Sequence, residues 1–195
     1  MNFQNITDTL ASHPHYKGYF KNTQVKCHVV DMSRPNAYAS FEIEVLLFKK
    51  RFIVIYDELI HLLTSEELKA VIAHELEHHR NGDYNRSSKA DLFAVILMVI
   101  LIFCFLVCAK LFPQSISISF LSAATIGAIS LKAIWSLCSS YYKRQAEYRA
   151  DRAASIVVGS EAIISALTKI DSNESSVNYF ADHPLTSDRL KRLRT

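Results

Sequence analysis

Cysteine is scarce and unpatterned in this chain. Cys27, Cys104, Cys108 and Cys138 are the only four among 195 residues, and no two form a CxxC pair that would mark a zinc ribbon or a redox motif. Three lie in apolar stretches, where a thiol serves as a small buried hydrophobe, so a disulfide framework is excluded as the organising principle. Net charge is modest too, at +3, which leaves nucleic-acid binding without an electrostatic footprint. The opening "MNFQNITDTLASHPHYKGYF" has no basic stretch leading into an apolar run. It is not a secretory signal peptide, and the region before Asp91 is expected to stay in the cytoplasm. Internal repeats and low-complexity tracts are absent as well.

Hydrophobic residues make up 50% of the chain, enough for one modest domain with appendages, but they are unevenly spread. Residues 1–90 read as an ordinary soluble mixture. "LFAVILMVILIFCFLVCA", Leu92 to Ala109, then runs eighteen residues without a charge or a glycine. Two membrane-length segments are expected, about Leu92 to Phe112 and about Ile116 to Cys138, with Pro113 and Gln114 at the turn. Arg80, Arg86 and Lys89 precede this hairpin, and Lys143, Arg144, Arg149 and Arg152 follow it. The positive-inside rule puts both flanks in the cytoplasm and the uncharged turn across a bilayer.

Ahead of the hairpin, "VKCHVVD" reads as a short strand, "AYASFEIEVLLF" as extended structure and, after a basic turn "KKR", "FIVIY" as a buried strand. "DELIHLL" suggests a short helix. Thr64 with Glu67 three residues on forms a capping-box pattern. From there Leu68, Val71, Ile72 and Leu76 make an apolar stripe at helical spacing. That helix is expected to run to about Arg80, with "NGD" ending it. After the hairpin, "YYKRQAEYRADRAASIVV" is a helix pattern ended by Gly159 and "SEAIISALTKI" a second one. A terminal helix begins around Thr186 or Ser187.

The segment "AHELEHHRNGD" carries the chemistry. His74 and His78 at i and i+4 share a helix face and can present two imidazole nitrogens to one tetrahedral metal. Glu75, rotated about 100° from His74, can lie beside the metal as a general base for water. A catalytic zinc needs a third protein ligand and an open position. Glu77 and His79 point around the helix, and Asp83 offers a local donor after the helix end. Glu147 in "RQAEYRAD" is the better candidate. Asp151, four residues on, shares its face and can accept a hydrogen bond from a ligand histidine.

These segments resemble the M48 zinc metallopeptidases, the family that includes HtpX-like, CAAX prenyl and Oma-type endopeptidases. The match runs from about Val25 to the C-terminus. "PNAYAS" is similar to the family's Asn-Ala-Phe-Ala segment, "AHELEH" to its zinc helix, "AEYRAD" to the element bearing the ligand glutamate and supporting aspartate, and "HPLTSDR" to its late His-Pro segment. The resemblance implies that Asn36, Ala37 and Tyr38 lie on an edge strand beside the cleft and contact substrate. It also implies that His183 bonds the oxyanion or substrate backbone, and that Arg189 holds the neighbouring network or substrate. Departures are the missing glycine after "AYAS", His-Pro-Leu in place of His-Pro-Pro, and fewer membrane segments than HtpX-like members carry.

The sequence therefore predicts an α+β, mainly helical, zincin-like peptidase domain with a small sheet and an inserted transmembrane helical hairpin. Its expected parts are an N-terminal segment 1–24, a first peptidase half 25–90, the hairpin 91–139 and a second peptidase half 140–195. The expected activity is that of an integral-membrane zinc metalloendopeptidase of a bacterial inner or plasma membrane, with its catalytic domain cytoplasmic. It holds one Zn2+ through His74, His78 and Glu147 and uses Glu75 as base. Its partners are a bilayer and a polypeptide or membrane-protein substrate, with quality control as the setting. A non-catalytic regulatory or adaptor protein of the same fold is the alternative, disfavoured by an intact Glu75 that metal binding alone does not need.

Overall fold

The computed structural model describes residues 2–16, 19–20, 25–31, 36–44, 48–111, 118–173 and 184–195. The chain divides into two compact units, Met1–Tyr84 with Lys143–Thr195, and Asn85–Tyr142. In the first, helix α1 (Phe3–Ala11) and a 3-10 turn (Pro14–Tyr16) lead into strands β1 (Val25–Val30), β2 (Ala37–Glu44) and β3 (Phe48–Tyr56). Helices α2 (Asp57–Leu62) and α3 (Ser65–Asn81) follow. Helix α4 (Asp83–Leu111) leads away, α5 (Ile118–Val157) returns, and α6 (Ser160–Asn173) and α7 (Thr186–Leu193) close the unit. The molecule is mainly helical, with one three-stranded sheet.

Strand order is β1-β3-β2, with β1 parallel and β2 antiparallel to β3. The "KKR" expected as a turn belongs to β3. Hairpin register carries the pairing down to Glu44 opposite Phe48 and sets Lys50 opposite Glu42, so Lys49 to Arg51 fall on the ladder and not at its bend. The central strand has Ile53 and Ile55 fully buried, as a strand flanked on both sides requires. The parallel edge of β1 is closed at its start by α1: Gln4 Nε2 donates to Val25 O at 2.9 Å and Gln4 Oε1 accepts from Cys27 N at 3.0 Å.

Helix α3 starts where the capping box indicates. Thr64 N donates to Glu67 Oε2 at 2.7 Å and Glu67 N donates to Thr64 Oγ1 at 3.4 Å. It ends at Gly82, whose φ of 65° is a left-handed cap that glycine adopts without steric cost. Its stripe Leu68, Val71, Ile72 and Leu76 is buried against Ile53, Ile55, Leu59 and Ile163 in the core. Each such side chain contributes roughly 1.5–3 kcal/mol by leaving water. The polar side chains of α3 are buried too: His74 and Glu77 lie off the stripe, whereas Glu75 and His79 fall within it at helical spacing.

In the second unit, α4 exposes Leu92, Phe93, Val95, Ile96, Val99, Ile100 and Phe103 around its circumference. Among the described residues no helix is long and apolar enough to cross a membrane. The side chains of Cys108 and Ala109, at the end of the eighteen-residue apolar run, lie outside the described residues, as does the expected turn at Pro113 and Gln114. The expected second segment ending at Cys138 and the helix after it are one continuous element, α5. The stretch "SLCSSYYKRQAEY" holds neither proline nor glycine to break it.

Candidate metal centre

Two elements of the first unit build the centre: α3 and the C-terminal part of α5. The α5 face that packs inward is lined by Ala146, Ala150, Ala153 and Ala154, all buried. These small side chains let its backbone lie close to neighbouring elements, and Glu147 and Asp151 ride on the same stretch. Glu147 is 7% exposed and Asp151 2%.

His74 Nε2 and His78 Nε2 stand 3.1 Å apart. Glu147 Oε2 lies 3.4 Å from the first and Glu147 Oε1 3.5 Å from the second. Donors about 2.0–2.1 Å from a tetrahedral zinc are separated from one another by roughly 3.3–3.4 Å, so all three edges match one ion to within a few tenths of an ångström. Among the described residues these three form the group whose donor atoms converge on one point.

Each imidazole is backed by an aspartate that an arginine holds. His74 Nδ1 lies 3.0 Å from Asp151 Oδ1, off the straight hydrogen-bond line. Arg189 clamps Asp151 in bidentate fashion, Nε to Oδ2 at 2.7 Å and Nη2 to Oδ1 at 2.6 Å. On the other side His78 Nδ1 meets Asp83 Oδ2 at 3.0 Å, and Arg149 Nη2 donates to Asp83 Oδ1 at 2.7 Å. Such pairs orient each ring so that Nε2 is the atom it would offer to a metal, and raise that nitrogen's basicity.

Charge points the same way. Glu75, Asp83, Glu147 and Asp151 are buried, and two guanidiniums, Arg149 and Arg189, pair with this set. Four carboxylates against two guanidiniums leave two negative charges when the imidazoles are neutral, which one divalent cation would balance. Buried charge of this kind is paired or coordinates a metal. Burial opposes protonation of both imidazoles, but the carboxylates outweigh it. His74 is raised above its ordinary value by Asp151 and Glu147, and His78 is pushed up to about 10 by Asp83 and Glu147. Burial works against ionised Asp83 and Asp151, yet their histidine and arginine partners hold both below the usual carboxylate range.

Of the residues singled out from sequence, the structure brings together His74, His78, Glu147, Asp151 and Arg189. Glu75, 7% exposed, acts electrostatically on both His78 and Arg189. Arg189 faces the carboxylates rather than open solvent, with Nη2 3.5 Å from Glu147 Oε2. Asn36 uses its polar groups within the sheet: Oδ1 accepts from Ala37 N and its carbonyl accepts from Tyr56 N, both at 2.9 Å. Tyr38 is 41% exposed, its ring edge-on to Tyr56 at 5.9 Å. His183 lies outside the described residues. Asp83 as partner of His78, and Arg149 as its holder, were not read from sequence. The signal was available in the five-residue step from His78 to Asp83 across a glycine that turns the chain back.

The sequence profile of peptidase family M48 matches residues 3–195. Protease HtpX of Psychrobacter sp. (strain PRwf-1) is 24% identical over 197 residues, covering 85% of this chain. A protease HtpX homolog of Dictyoglomus thermophilum is 28% identical over 194 residues, covering 87% of this chain. The chain spans 62% of the length of each. Among solved structures, S. mikatae Ste24p superposes with a TM-score of 0.66 at 20% identity, over all of this chain and 50% of that one. That likeness speaks for the fold.

Proposed function

The chain belongs to peptidase family M48, and from that membership we propose that it is a membrane-anchored zinc metalloendopeptidase that hydrolyses peptide bonds of extended polypeptide segments. The convergence of His74 Nε2, His78 Nε2 and Glu147 Oε at edges of 3.1–3.5 Å carries this proposal. One zinc per chain is held by those three residues and, when bound, supplies the Lewis acidity that makes water nucleophilic at neutral pH.

Glu75 accepts the proton that the attacking water gives up as its oxygen bonds to the scissile carbonyl carbon. It delivers that proton to the amine nitrogen as the C–N bond breaks, so the carboxylate is regenerated. Asp151 with Arg189, and Asp83 with Arg149, engage Nδ1 of the two imidazoles and fix them in rotation, so that Nε2 is the atom each ring offers to a metal. His183 bonds the oxyanion or substrate backbone. The substrate lies extended along β2, where Asn36 to Tyr38 begin an edge strand that a peptide can extend by strand addition.

The apolar α4 and the first part of α5 anchor the enzyme as a transmembrane hairpin, about residues 91–139, between the two halves of the peptidase domain, 25–90 and 140–195. The zinc site then faces the cytoplasm of a bacterial cell, and damaged membrane proteins are the substrate class. The support is the eighteen-residue uncharged run, the exposed apolar side chains of α4 and the basic residues on both flanks.

Metal analysis of the detergent-purified chain tests the proposal, paired with casein cleavage. One zinc per chain with cleavage is expected, both lost in Glu147→Ala. Normal zinc and activity in that variant would remove Glu147 from the ligand set. Zinc without cleavage of any unfolded substrate would favour the adaptor alternative.

A further inference from the structure

Two phenols of the N-terminal segment bond backbone carbonyls that bracket the donor turn of α3. Tyr16 Oη donates to Ala73 O at 2.6 Å, one residue before His74. Tyr19 Oη donates to His79 O at 2.7 Å, one residue after His78. Between them His15 Nε2 lies 3.1 Å from Glu77 Oε2, a carboxylate 3% exposed that also takes Asn81 Nδ2 at 2.6 Å. Tyr16 is 1% exposed. Ala73 and Glu77 share a helix face rotated about 100° from that of His74 and His78, so the N-terminal segment grips α3 beside its donor face.

A hydroxyl buried as deeply as that of Tyr16 needs a partner; which carbonyl it takes decides its effect on α3. The carbonyl of Ala73 lies inside the helix ladder, and the phenol takes its second lone pair. A helix carbonyl drawn out by an external donor bends the helix locally. The carbonyl of His79 lies in the last turn of α3, where Gly82 N also donates to it, at 3.3 Å. One bond engages the turn that begins the donor pair and the other the turn that ends it. The Nε2 to Nε2 separation of 3.1 Å depends on both backbones.

We infer that Tyr16 and Tyr19 are positioning residues for the metal centre, fixing the spacing and rotation of His74 and His78 through the α3 backbone. This rests on the metal-site assignment above, and it adds a segment with no donor atom of its own to the machinery. The competing account is a plain structural staple of the kind Gln4 makes with β1. Gln4 holds the same helical segment through two bonds of 2.9 and 3.0 Å, but to a strand edge and not to α3.

The test uses the full chain, detergent-purified and loaded with cobalt(II) in place of zinc. Cobalt affinity is read by chelator competition, its visible absorption spectrum reports ligand geometry, and Tm is measured metal-free. Tyr16→Phe/Tyr19→Phe is expected to bind cobalt about tenfold or more weakly, two hydrogen bonds being lost, with an altered spectrum and a lower kcat at unchanged KM. Gln4→Ala is expected to lower the metal-free Tm comparably while affinity and spectrum stay those of wild type. If the double variant does not fold, Tyr19→Phe alone, at a position 36% exposed, is expected to weaken cobalt binding about fivefold. The clasp is overturned if the tyrosine variants match wild type, or if Gln4→Ala loses affinity in proportion to its Tm. A wild type that takes up no cobalt overturns the metal-site assignment itself, and the clasp with it.

Discussion

In the proposed mechanism Glu75 is the residue on which the chemistry turns, because the metal would be held without it. Glu75→Gln is expected to keep its zinc and lose about 10²–10⁴ in kcat, the usual worth of a positioned general base; paired metal analysis and casein kinetics check this. Asp83 is the residue that sequence reasoning weighed only as a ligand. Asp83→Asn removes the carboxylate from His78 Nδ1 and is expected to weaken zinc binding about 10–100-fold, measured by chelator competition. Proton release follows from the same geometry. Without metal the surrounding carboxylates favour protonated imidazoles, His78 up to about 10, whereas ligation requires them neutral. Zinc uptake near pH 7 should therefore release protons, and calorimetry in buffers of different ionisation enthalpy should return heats that vary with the buffer. Heats that are the same in all buffers would mean that the rings are already neutral before the metal arrives.

Helix α3 shows how much an element announces in sequence and where that stops. Its start at Thr64, its stop before Gly82 and its apolar stripe were all legible, because capping and glycine chemistry are local. The burial of its polar side chains was not, since that depends on α5 and the N-terminal segment, far away in the chain. The partners of the capping glutamate were hidden for the same reason. Glu67 also accepts from Ser165 and from Lys169 Nζ at 2.8 Å, tying α3 to α6. Burial works against its charge, but Lys169, Ser165 and Thr64 bring it down to about 2. Its folded value lies below the ordinary value of 4.5, so the stabilisation is fully present above about pH 4.5 and is lost as pH falls towards 2. Glu67→Gln is expected to cost about 1.5–3 kcal/mol at pH 7 and to flatten the loss of stability between those values, as urea titrations at a series of pH values would show. The basic "KKR" went the other way. Local charge suggested a turn, and cross-strand register overrode it. The fusion of two expected segments into α5 was also visible in principle, as a stretch without breakers.

For the molecule as a whole, the sheet and helices that carry the centre were foreseeable as a mainly helical α+β fold. The parallel pairing of β1 with β3 was not, because strand neighbours separated by a hairpin leave no periodic mark. Helix α4 keeps its large apolar side chains on the surface, an arrangement unfavourable in water for a stretch of this length. The full chain is expected to remain in the membrane pellet after alkaline carbonate extraction of cells that express it. Recovery in the supernatant would remove the anchoring role from α4 and α5 while leaving the metal centre untouched.

The separation of the donors along the chain has a consequence for biosynthesis. Sixty-nine positions separate His78 from Glu147, and Arg189, which clamps the partner of His74, comes later still. At about 5–20 residues per second, translation leaves the two histidines without their carboxylate for roughly three to fourteen seconds. A nascent chain that has made only the HExxH helix holds two of the three converging donor atoms, and the third arrives only with α5. By its topology, the molecule cannot close its donor set until α5 has been made.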